Sequence, residues 1–188
     1  MDALSHINNF FVKEPVWRDA NRCLFAGIPP GLVSWLLEPN SLTQRLKNSF
    51  SEPFNVRLEG QGLAKPFLAD ARQLKQRHQC HALIREVRLE VGEKPLVFAR
   101  STLSQKTAHA LNELTHLGNK PLGEVIFAYP SLQRLSLDIA KINVNQLKQG
   151  IRESIGEQNF IWGRRNTYQI NQHVFIVSEF FLPVMHQQ

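Results

Sequence analysis

Two charged side chains sit where the pattern of their segments calls for hydrocarbon, and both are suited to recognising a polar ligand. In the segment from Leu83 to Val91, alternate positions place Leu83, Arg85, Val87, Leu89 and Val91 on one face of a strand. Arg85 interrupts that apolar row, while Glu86, Arg88 and Glu90 share the other, polar row with Ile84. Near the C-terminus, Phe175, Val177, Glu179 and Phe181 share one face and Val174, Ile176, Ser178, Phe180 and Leu182 the other, so Glu179 is the one charge in an apolar run. Such a strand is expected to be buried on both sides. A charge in that setting must be paired, hydrogen-bonded, neutralised or kept for a ligand. Two readings follow. Arg85 and Glu179 form a structural ion pair with each other, or they serve a ligand. In the second reading the guanidinium captures a carboxylate in bidentate fashion, and the desolvated Glu179 exchanges a proton or holds a hydroxyl.

The remaining candidates are weaker. His78, Cys80 and His81 lack a local fourth ligand, which would have to come from Cys23 or a distant histidine, so no metal is assigned. His81 reads as a polar residue at a strand edge. Gly60-Gln61-Gly62 lacks the third glycine of a dinucleotide fingerprint and reads as a turn. Neither a G-x-S-x-G elbow nor a Walker loop occurs, and Ser34 lies on an amphipathic helical pattern. Trp162-Gly163-Arg164-Arg165 reads as a solvated entry to a hairpin with Trp162 packed inward.

The elements that must position these residues are short. Pro29-Pro30 opens a helix through Val33, Trp35 and Leu37. Ser41 is a suitable N-cap for a second helix carrying Leu42, Leu46 and Phe50. Leu42 is then its first residue, with an N–H that has no partner inside the helix. Period-two patterning marks strands at Phe54 to Leu58 and Cys80 to Val91, with a turn at Gly92-Glu93-Lys94-Pro95 into Leu96 to Arg100. Ser104 caps a helix carrying Ala108, Leu111 and Leu114 as far as Gly118, and Pro121-Leu122-Gly123 opens a shorter one. Leu132 to Ile142 reads as a strand, Asn145 to Ser154 as a helix, and Thr167 to Ile170 with Val174 to Leu182 as a last hairpin. The fold class is α+β, with helices flanking a single antiparallel β-sheet. One domain over residues 1–188 is expected, with 1–28 weakly patterned and wrapped around the outside.

Composition narrows the partners. The 188 residues include 22 Lys and Arg against 16 Asp and Glu, a net charge of +6, which favours anions. The basic residues are dispersed and not clustered with aromatics, so a small anion is expected and nucleic acid is not. The longest apolar runs fall far short of the about 20 residues of a membrane span. Two cysteines and an acidic, unpatterned N-terminus point to a cytoplasmic protein.

With these residues in order, the sequence resembles the chorismate pyruvate-lyase family of ubiquinone biosynthesis. The likeness rests on WGRR (162 to 165), SEFFLP (178 to 183), LGNKPLG (117 to 123), the IREVRL strand (84 to 89) and SLTQRL (41 to 46). It spans most of the chain and is poorest in residues 1–28 and 61–79. The resemblance implies a monomer with an internal ligand cavity and no cofactor, converting chorismate to 4-hydroxybenzoate and pyruvate. It further implies that Arg85 binds the ring carboxylate with help from the main-chain N–H groups of Leu42 and Leu122, and that Glu179 contacts the ring hydroxyl. Tight product retention is expected of such a cavity. The competing expectations are a non-catalytic sensor of small aromatic carboxylates and a 4-hydroxybenzoate carrier. The sensors resembling this fold usually carry a winged helix-turn-helix in front, for which about 28 unpatterned residues are too few.

Overall fold

A computed structural model describes residues 10–22 and 27–187. Cys23 lies outside them. Seven strands form one sheet in the order β1-β5-β6-β7-β4-β3-β2, with every neighbouring pair antiparallel. The strands are β1 (Arg18–Asp19), β2 (Phe54–Ala64), β3 (Ala82–Val91), β4 (Lys94–Ser104), β5 (Leu132–Asn143), β6 (Phe160–Ile170) and β7 (His173–Phe181). Left-handed residues make the tight hairpins: Gly92 at φ 59° between β3 and β4, and Asn171 at φ 55° between β6 and β7. Pairing of β4 with β7 joins the two halves of the sheet, which is why β7 is buried on both faces and reads as a continuous apolar run.

One face of the sheet carries helices α1 (Pro30–Leu36), α2 (Leu42–Ser49) and α5 (Leu122–Ile126). Leu32, Trp35, Leu36 and Leu46 of α1 and α2 pack there on Val87, Leu89, Val97 and Phe181 of the sheet. Farther along the same face, Leu122 and Ile126 of α5 join Leu103, Tyr168 and Phe175. Ser41 caps α2 as expected, its hydroxyl accepting from the Gln44 N–H at 3.3 Å. Ser104 does the same for α4 (Gln105–Ala110), accepting from the Thr107 N–H at 3.1 Å.

The opposite face is covered by α3 (Leu68–Gln73), by α6 (Gln149–Arg152) and by the N-terminal segment. Phe10 and Phe11 do not wrap the outside as expected. They are buried against Phe98 and Phe180, with ring centroids 5.0 Å and 4.7 Å apart, and each such burial stabilises the fold by roughly 1.5–3 kcal/mol.

Other expectations are also revised. Gly60-Gln61-Gly62 is no turn: it lies inside β2 just past a bulge between Leu58 and Gly60, where glycine tolerates the local bend. Asn145 to Ser154 is not one helix, because Leu147 is extended and divides a 3-10 turn from α6. The polar row of β3 is itself covered at Glu86. Glu86 is fully buried and pairs with Arg100, beside Arg165, which bridges Asp138 at 2.8 Å and Asp70 at 3.1 Å. Burial pushes the Asp70 carboxyl up from its usual range, with Arg165 and then Arg100 pulling the other way. Among the described residues, no helix is long and apolar enough to cross a membrane.

Candidate active site

The strand alternation read from the sequence points Arg85, Val87 and Leu89 of β3 to the helical face. There they meet Ala99 and Ser101 of β4, Val177 and Glu179 of β7, and Arg164 and Tyr168 of β6. Helices α2 and α5 roof this floor with Leu42, Thr43, Leu122, Gly123 and Ile126, leaving a cavity of about 550 Å³ that is partly open to solvent. All four residues expected to form the site, Leu42, Arg85, Leu122 and Glu179, line this one cavity.

Register fixes their spacing. Arg85 is opposite Ser101, Ser101 is opposite Val177, and Glu179 is one same-face step beyond Val177. Two strand spacings and one step along a strand separate the two backbones by about 12 Å.

Arg85 and Glu179 do not pair with each other. Arg85 is 3% exposed, and its Nη2 donates to the carbonyls of Gly118 at 2.9 Å and Lys120 at 3.0 Å, just ahead of α5. No carboxylate of the described residues contacts it, and its Nε is buried without a partner. Burial accordingly pulls its pKa down to about 10. This is a desolvated cation with no counter-ion among the described residues. Leu42 and Leu122 are the first residues of α2 and α5, so their N–H groups precede the first intrahelical bonds, at the roof of the same cavity.

Glu179 pairs instead with Arg164, directly opposite on β6, at 2.5 Å from Nε to Oε2. Oε2 also accepts from Asn166 Nδ2 at 3.4 Å. Both bonds fall on one oxygen, and Oε1 takes no hydrogen bond from the described residues. The Nη1 of Arg164 donates to the carbonyls of Trp35 at 3.1 Å and Glu38 at 2.9 Å, tying the pair to the end of α1. Burial pulls the Arg164 guanidinium down, but Glu179 outweighs it and the net shift is upward.

Arg164, Asn166 and Tyr168 were not anticipated as site residues. β6 begins at Phe160, seven residues before the expected start, so the arginines of WGRR are strand residues and not a solvated hairpin entry. Trp162 is packed inward as expected. The available signal was the alternation Trp162, Arg164, Asn166, Tyr168, obscured by Gly163. That glycine has a packing reason: a Cβ there would come within 2.7 Å of the Phe180 ring.

Across this constellation, comparison with known proteins is decisive. The family model described as Chorismate lyase matches residues 12–188. The chain belongs to the chorismate lyase family. Two relatives named "Probable chorismate pyruvate-lyase" are similar along most of their length. That of Methylococcus capsulatus (strain ATCC 33009 / NCIMB 11132 / Bath) is 42% identical, covering 82% of this chain and 96% of the relative. That of Pseudoalteromonas translucida (strain TAC 125) is 36% identical, covering 89% and 91%. This lyase fold also resembles the C-terminal domain of the histidine utilization repressor from Pseudomonas syringae pv. tomato str. DC3000, with TM-score 0.55, 10% identity, and coverage of 72% of this chain and 96% of that one. At that identity the likeness to the repressor concerns the fold alone.

Proposed function

We propose that the protein converts chorismate to 4-hydroxybenzoate and pyruvate, supplying the aromatic precursor of ubiquinone, as a cytoplasmic monomer working without a cofactor. The observation carrying this reading is that Arg85, with no carboxylate partner among the described residues, and Glu179, whose Oε1 takes no hydrogen bond from them, line one small cavity together. Arg85, helped by the N–H groups of Leu42 and Leu122, receives the ring carboxylate, and Oε1 of Glu179 accepts from the ring hydroxyl. Hydrocarbon from Val56, Val87, Leu89, Ala99 and Val177 packs on the ring between them.

In this reading the C3–O bond of chorismate breaks and the hydrogen at C4 passes to the methylene carbon of the departing enolpyruvyl group. Pyruvate forms as the ring becomes aromatic. No protein nucleophile or base is needed. The protein excludes water, holds the reactive geometry and offers fixed charges where charge develops. Glu179 positions the hydroxyl, and the doubly occupied Oε2 holds that carboxylate in place.

Incubating the purified protein with chorismate and quantifying both products, with Arg85→Ala as control, tests the proposal. Equimolar 4-hydroxybenzoate and pyruvate made by the wild type alone support it. No products, with saturable 4-hydroxybenzoate binding, would make the protein a sensor or carrier.

A further inference from the structure

The substrate of the proposed reaction carries two carboxylates and the product one, so some part of the cavity must accept the second anion. It belongs to the leaving group on the ring carbon next to the hydroxyl-bearing one, and therefore lies beside Glu179. On one side of the Glu179 row, toward Leu89 and Val56, the lining is hydrocarbon and an anion would be unmatched. On the other side Arg164, opposite Glu179, has its Nε and Nη1 engaged by Glu179 and the Trp35 and Glu38 carbonyls, and past Val177 on the same face of β6 stands Tyr168, opposite Phe175.

Tyr168 is buried, with its ring 5.8 Å from that of Phe175 and 6.2 Å from that of Phe127 at the end of α5. Its hydroxyl makes no hydrogen bond with the described residues, and Tyr168 lines the cavity, where a ligand can supply the partner. Burial and Glu179 push the phenol up to about 12, with Arg164 and Arg134 opposing, so it remains a donor through the working pH range. The two guanidinia favour an anion nearby, offsetting the repulsion from Glu179.

We propose that the Tyr168 hydroxyl donates a hydrogen bond to the carboxylate of the leaving three-carbon unit and so distinguishes the dicarboxylate substrate from the monocarboxylate product. This rests on the lyase reading above. Tyr168→Phe keeps the ring packing and removes only the donor. It is expected to lower kcat/KM for chorismate by about 10- to 100-fold, the usual worth of a hydrogen bond to a charged group, while the inhibition constant of 4-hydroxybenzoate changes by less than about twofold. Binding of 3-(carboxymethoxy)-4-hydroxybenzoate, an unreactive mimic with both carboxylates, should weaken in parallel with kcat/KM. Unchanged kcat/KM, or equal losses for substrate, mimic and product, would overturn the assignment of Tyr168 while leaving the lyase reading standing. Absence of turnover by the wild type would remove both.

Discussion

Glu179 stands directly opposite Arg164 on the neighbouring strand, and their contact engages one carboxylate oxygen while the other takes no hydrogen bond from the described residues. Arg164→Met strands a buried carboxylate. Breaking such a pair from one side costs about 3–5 kcal/mol, or roughly 6–20 °C of Tm for a chain of this size. Arg164→Met combined with Glu179→Met should recover at least half of that loss in thermal unfolding. A double variant as unstable as the sum of the two singles would refute the coupling.

Arg85 is a different kind of charge, since no carboxylate of the described residues compensates it. Arg85→Met should weaken 4-hydroxybenzoate by about 100-fold, the worth of a charge-assisted bond near 3 kcal/mol, without lowering the Tm of the empty protein. The pH dependence has a definite sign. With the folded pKa lowered to about 10 against 12.5, the buried cation costs stability at all lower pH, because both states are then protonated. Between these values the unfolded chain binds more protons and the cost disappears. Any Tm advantage of Arg85→Met over wild type should therefore shrink as pH rises above 10, which paired thermal melts would measure.

Glu179→Gln tests the positioning role. The amide retains an acceptor oxygen, so chorismate turnover within about tenfold of wild type is expected if the carboxylate moves no proton, general acid–base catalysis being commonly worth 10²–10⁴. A loss beyond about a thousandfold, in a variant that still binds 4-hydroxybenzoate, would assign proton transfer to Glu179.

Gly163 lies directly opposite Phe180 across the β6–β7 pair. A Cβ would meet the Phe180 ring at 2.7 Å and the Glu179 carbonyl at 3.2 Å. Gly163→Ala should cost about 1–3 kcal/mol through overpacking, visible as a lowered midpoint in urea with an unchanged slope.

The legible part of this fold was local. Alternation alone exposed Arg85 and Glu179 as misplaced charges, and the cap residues Ser41 and Ser104 located helix starts to the residue. What escaped depends on partners distant in sequence. Arg164 reads as a loop charge until Glu179 is seen across from it, and Gly163 reads as a loop glycine until Phe180 fills the space above it. Phe10 and Phe11 belong to no periodic segment and are held by residues far along the chain, among them Phe98 and Phe180. Glu86 reads only as a member of a polar row until its counter-ion, Arg100, is seen on the next strand.

Strand β6 presents Arg164 to the cavity and the very next residue, Arg165, to the ionic layer behind the sheet. Substitutions along it can be judged one side chain at a time, but a change of length cannot. One residue inserted after Gly163 would reverse the facing of everything up to the Asn171 turn, setting the inserted side chain opposite Glu179, turning Arg164 to the back of the sheet and withdrawing Tyr168 from the cavity. Homologous chains are therefore expected to drift in side-chain identity along this strand while keeping its length constant, with insertions and deletions confined to the connections outside it.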